Sequence, residues 1–89
     1  MQLPLIHLNG TSKQELLDGA CECGRLLREA LQTMARHNPN ARDFYPLGPG
    51  FYERARAEHE ERCRLVESVA QSFMDLAEGI AEGGHKRTA

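Results

Sequence analysis

The sequence predicts an all-α fold: an antiparallel two-helix hairpin with an extended N-terminal arm, assembling into an oligomeric helical bundle. Three observations carry that expectation. Apolar residues recur at alternating spacings of 3 and 4 over two long stretches, the period of a bundle stripe. A proline-rich segment separates the stretches, with three of the four prolines lying between residues 38 and 50. The apolar supply is also thin: Leu, Ile, Val and Phe number 18 among 89 residues, so one hairpin is short of core and self-association is the economical remedy.

The chain reads as a single domain over residues 1–89. Residues 1–11 form the arm, in which Leu3, Leu5, Ile6 and Leu8 surround Pro4. The segment is too short and Pro-broken for a helix, yet apolar enough to want cover. Ser12 followed by Glu15 is a capping box, in which the hydroxyl takes an orphan helix N–H and the carboxylate reaches back. The first helix therefore spans 13–37, with Leu16, Ala20, Cys23, Leu27, Ala30 and Met34 as its stripe, flanked by Leu17, Gly24 and Leu31. Pro39 ends it by forcing Asn38 out of the α region.

A connection over 38–48 follows, longer than most helix-to-helix loops, and loops of that length tend to carry function. The second helix is expected over 49–82, opened by Pro49 in its first turn and stopped by Gly83-Gly84. Its seam reads Tyr52, Ala55, His59, Arg62, Val66, Val69, Phe73, Leu76 and Ile80. Residues 83–89 are expected to fray. Two such stripes leave Leu17, Leu31, Cys63, Ala70 and Ala77 wanting cover, which a dimeric or larger bundle supplies.

Function is sought where the second helix breaks its own pattern. His59 and Arg62 interrupt the apolar seam in the half nearest the connection, and antiparallel pairing gathers Arg42, Asp43, Tyr45 and Tyr52 at the same end. Guanidiniums suit a phosphate or carboxylate and aromatic rings suit a planar base, so these six residues are the candidate ligand-binding set. The same residues fit a second reading, in which His59 and Arg62 fix helix register or Arg62 pairs with Asp43.

Other chemistry is weakly represented. Cys21 and Cys23 lie about 200° apart on a helix and cannot chelate one ion together. His59 and Cys63 share a face, but no third ligand accompanies them, and no metal or other cofactor is expected. Cys63 lies one turn from His59 without any sign of an oxyanion hole, so no catalytic residue is assigned and the chain is not expected to be an enzyme. Eleven basic against thirteen acidic residues give a net charge of −2, which argues against non-specific nucleic-acid binding. The absence of a long apolar run or a leader-like start makes the expected location cytoplasmic, without membrane contact.

The strings Ile6-His7-Leu8-Asn9-Gly10-Thr11-Ser12, Asn40-Ala41-Arg42-Asp43-Phe44-Tyr45-Pro46 and Ala57-Glu58-His59 resemble a group of small helical proteins of unassigned function encoded by bacteriophages and prophages. The resemblance covers the layout of residues 5–80 and implies an accessory phage protein made in a bacterial cytoplasm. In size and architecture the chain is also similar to oligomeric phage anti-defence proteins that act as sponges, sequestering nucleotide signals without cleaving them. The expected function is accordingly non-enzymatic capture of a small anionic or nucleotide ligand by a homo-oligomer. The alternatives are an adaptor or inhibitor directed at a host protein, and a virion or packaging component.

Overall fold

The computed structural model describes residues 1–86. Two long helices, α1 (Lys13–Arg36) and α2 (Phe51–Ala81), pack side by side as an antiparallel hairpin. The molecule measures 65 × 22 × 17 Å. Its 22 Å width matches two helices side by side, each roughly 10–12 Å across with its side chains. No helix among the described residues is long and apolar enough to cross a membrane.

The helix ends follow from local chemistry. Ser12 caps α1, its hydroxyl accepting from the Glu15 amide at 3.1 Å, and His37 closes the other end by donating its amide to the Met34 carbonyl. The second helix starts two residues later than Pro49 would allow. Gly50 holds φ +86°, a left-handed conformation that cannot belong to the helix, so it becomes the cap and Phe51 the first helical residue.

The interface between the helices is rotated from the expected stripes. On α1 it uses Leu17, Ala20, Gly24, Leu27, Leu31 and Met34, while Cys23 and Ala30 are exposed. On α2 it uses Tyr52, Ala55, His59, Cys63, Val66, Ala70, Phe73, Ala77 and Ile80; Arg62 and Val69 point outward. Small residues decide this. A methyl group added at Gly24 would come within 2.9 Å of the Met74 sulfur and 3.8 Å of the Phe73 Cβ. Gly24 and the buried Ala20, Ala70 and Ala77 thus leave room for the facing helix, and larger neighbours are turned aside. Leu17, Leu31, Cys63, Ala70 and Ala77, expected to need cover from another chain, are covered within the hairpin.

Ala20, Ala77 and Ile80 form the deepest cluster, with Ile6, Leu16, Leu17 and Leu76 packed against it. This cluster lies at the end away from the connection, where the arm crosses. Leu5 bridges Gly84 in antiparallel fashion, and the His85 amide donates to the Pro4 carbonyl at 2.8 Å. Gly84 and His85, expected to belong to a frayed tail over 83–89, are therefore paired with the arm, and the Gly83 amide donates to the Ile80 carbonyl. The remainder of that expectation, residues 87–89, lies outside the described residues. Gly84 makes the pairing feasible: its φ is +73°, and a Cβ there would stand 2.5 Å from the Pro4 carbonyl oxygen. Of the four arm residues expected to be covered, Leu3 and Ile6 are half-buried, whereas Leu8 is 98% exposed.

Candidate functional site

The connection folds as two single turns of 3₁₀ helix, Ala41–Asp43 and Tyr45–Leu47. Asn40 starts the first, its side-chain oxygen accepting from the Arg42 amide at 3.0 Å. Pro46 lies inside the second, where a missing N–H costs little. Phe44 turns inward and packs on Tyr52 of α2, ring centroids 6.5 Å apart and tilted by 47°. That contact fastens the connection to the hairpin and sends its neighbours outward: Tyr45 is 73% and Leu47 61% exposed.

Two surfaces result. On one side of α2, Asn38, Pro39, Tyr52, Arg56, His59 and Glu60 line a concavity of about 210 Å³. Around the tip, Tyr45 and Tyr52 share a shallow hollow of about 470 Å³ with Ala41, Gly48, Pro49, Gly50 and Glu53. Phe51 is half-exposed beside Leu47, with the Arg54 guanidinium 4.4 Å above its ring.

The six residues singled out from the sequence separate into three groups. Tyr52 and His59 meet in the smaller concavity, and Tyr45 joins Tyr52 in the larger. Arg42 and Asp43 are exposed on the first 3₁₀ turn and line neither hollow. Arg62 faces away from α1, 3.7 Å from Glu58, so the Arg62–Asp43 pair is not formed. His59 does sit in the helix interface, as a seam residue should, and its ring Nε2 donates to the Met34 carbonyl at 2.8 Å.

Sequence reasoning missed Arg56 and Asn38, which complete the smaller concavity. The signal was present at Arg56, one turn before His59 and Glu60 on the same side of α2. Arg56 is already paired through one of its nitrogens: its Nε donates to Glu60 at 3.0 Å, and this pairing raises the guanidinium's pKa above its ordinary value. The Glu60 carboxylate lining the same concavity would repel an incoming phosphate or carboxylate.

Among the described residues no group of three His, Cys, Asp or Glu side chains is placed to hold a metal ion. Cys21 and Cys23 are exposed and unpaired, and Cys63 is partly buried between the helices. No family model matches the chain, and no curated protein or solved structure matches it.

Proposed function

We propose that this chain is a non-enzymatic binding protein that works as a homo-oligomer and presents the connection end of its hairpin to another protein. The observation that supports this most strongly is the exposure of Tyr45, Leu47 and Phe51 at one tip, on a connection anchored by the Phe44–Tyr52 contact. Rigidly mounted aromatic and aliphatic anchors are what protein interfaces use, and their ordering in advance lowers the entropic cost of binding. Three of the cationic groups near the tip are already engaged, Arg54 with Phe51, Arg56 with Glu60 and Arg62 with Glu58, which leaves Arg42 on the first 3₁₀ turn. The resemblance to phage-encoded proteins supplies the setting, an accessory factor in a bacterial cytoplasm acting on a host protein.

The test is site-specific photo-crosslinking of the full chain in bacterial lysate, with the crosslinker at position 45 or 47 and a control at the exposed position 14, at the opposite end of α1. A single host protein captured from the tip positions alone is the expected result. Equal, non-specific labelling from all three positions would dismiss the reading.

A second reading, capture of a small anionic or nucleotide ligand, is favoured by one observation: Tyr52, His59, Arg56 and Asn38 converge on the smaller concavity. At about 210 Å³ it falls below the roughly 300–1,000 Å³ usual for small-molecule sites, which places this reading second. Native mass spectrometry of the protein taken directly from lysate separates the two, since only this reading expects a retained low-mass ligand.

A further inference from the structure

The two broad faces of the hairpin differ in chemistry. Stepping one residue forward from the seam turns by about 100° and, in an antiparallel pair, carries both helices toward the same side. That side holds Arg25 and Arg28 of α1 with Glu67 and Gln71 of α2, and Arg28 reaches Gln71 across it at 3.5 Å. One residue back from the seam, on the opposite side, α1 offers Cys23, Leu26 and Ala30, and α2 offers Leu65, Val69 and Ser72. None of these six is charged, while Arg54, Glu58 and Arg62 of α2 occupy the same side nearer the connection. Leu26 is 48%, Leu65 52% and Val69 48% exposed, so three large aliphatic side chains present about half of their surface side by side.

We infer that this central apolar patch is the surface on which a second copy of the chain packs, related by a two-fold axis, to give a four-helix bundle. The inference rests on the self-associating reading above and names its surface. Area is the first argument. A compact monomer of 10.0 kDa exposes about 5,200 Å², whereas this chain exposes 6,710 Å². The excess, about 1,500 Å² by the same scaling, exceeds the roughly 800 Å² per partner that a standard stable interface covers.

Position is the second argument. Leu26 lies near the middle of α1 and Leu65 and Val69 near the middle of α2, so the patch is centred along the long axis and drawn from both helices. A two-fold axis through its centre sets the same leucines and valine against their own mates without overhang at either end. Such a pairing also doubles the thin dimension into the two-layer packing that helical bundles adopt.

The experiment is sedimentation equilibrium of the full chain across the micromolar range, with far-UV circular dichroism alongside. The wild type should weigh about 20 kDa, twice the 10.0 kDa chain. Leu65→Glu and Val69→Glu should each weaken association by more than about 100-fold while keeping helical content, because the carboxylate would be buried twice across the axis. Gln32→Glu, on the charged side, should leave the mass unchanged. A wild type of single-chain mass would overturn self-association itself. A dimer indifferent to both substitutions would leave self-association standing and overturn the face. Should either variant fail to fold, Leu26→Glu and the concentration dependence of the wild-type melting temperature decide: a constant melting temperature counts against the dimer.

Discussion

His59 of α2 donates its ring Nε2–H to the main-chain carbonyl of Met34 in the last turn of α1, 2.8 Å away, and so ties the two helices together beside the connection. The Met34 carbonyl is one of the four that a helix C-terminus leaves without an internal partner. It already accepts the His37 amide, so a single oxygen serves the cap of one helix and the anchor of the other. A histidine that looked like a candidate ligand from the sequence is thereby given a structural occupation, with its Nε2 turned away from solvent chemistry.

Replacing His59 by Ala should cost about 1–3 kcal/mol, through the lost hydrogen bond and the space left in the helix interface. Urea unfolding measures it. His59→Gln, which can present an N–H at a similar reach, should recover part of the loss; equal loss in both variants would mean the hydrogen bond contributes nothing.

Arg62 and Cys63 are neighbours with opposite expectations. Arg62→Leu should change stability by no more than about 0.5 kcal/mol, because an exposed pair with Glu58 is all that is removed. Cys63→Asp should cost several kcal/mol by forcing a carboxylate into the helix interface. Thermal melting of both variants tests the rotated seam directly, since the stripe expected from spacing alone assigns the larger effect to position 62.

Gly84→Ala should lower the melting temperature by roughly 4–20 °C, as the added methyl cannot coexist with the Pro4 carbonyl or the positive φ at a cost below about 1–3 kcal/mol. Deleting residues 1–8 removes the same clasp together with the Leu3 and Ile6 packing, and should cost at least as much. Combining the two changes should cost less than the sum of the separate losses, because the clash with the Pro4 carbonyl disappears with the arm and only the strain of the positive φ remains.

Acid should weaken the exposed ion pairs of the helices. Hydrogen bonds from Arg25 to Glu22, and from Arg64 to Glu61, hold both carboxyls below the ordinary glutamate range. Their folded-state affinity for protons is lower than in the unfolded chain, so their contribution is present above that range and is lost as the pH falls through the lowered values. Circular dichroism from neutral pH to pH 2 should show helicity declining over that interval, with a smaller decline in the Glu22→Gln/Glu61→Gln double variant.

Both helices were legible in the sequence because their signals are local: the Ser12 cap, the interruption at Asn38-Pro39, the Gly83-Gly84 stop and the 3–4 alternation between them. The rotation about their axes was not. Cys23 and Ala30 fit the same spacing on α1 as Gly24 and Leu31, and only the size of what meets them across the interface chooses between the stripes. Placing Arg62 in the seam came from continuing a regular alternation through a point where the helix steps by four twice, from His59 to Cys63 and from Ala55 to His59. The Leu5–Gly84 bridge joins positions almost a chain length apart and leaves no local trace, so its glycine reads only as a helix stop. The candidate site was legible as a region, the tip with its aromatics, but not in its pairing of arginines with glutamates.

The clasp between Pro4 and His85 also gives the molecule a mechanical polarity. Because the two ends of the described chain meet at one extremity, a pull applied between them loads that amide-to-carbonyl bond and the adjoining Leu5–Gly84 bridge first and then peels α1 from α2 pair by pair. Each step breaks only the contacts at the opening fork, so the hairpin yields as a zipper at low force. Tension along the 65 Å axis, applied between the tip and the clasped end, instead strains both helices in parallel and meets a far stiffer body.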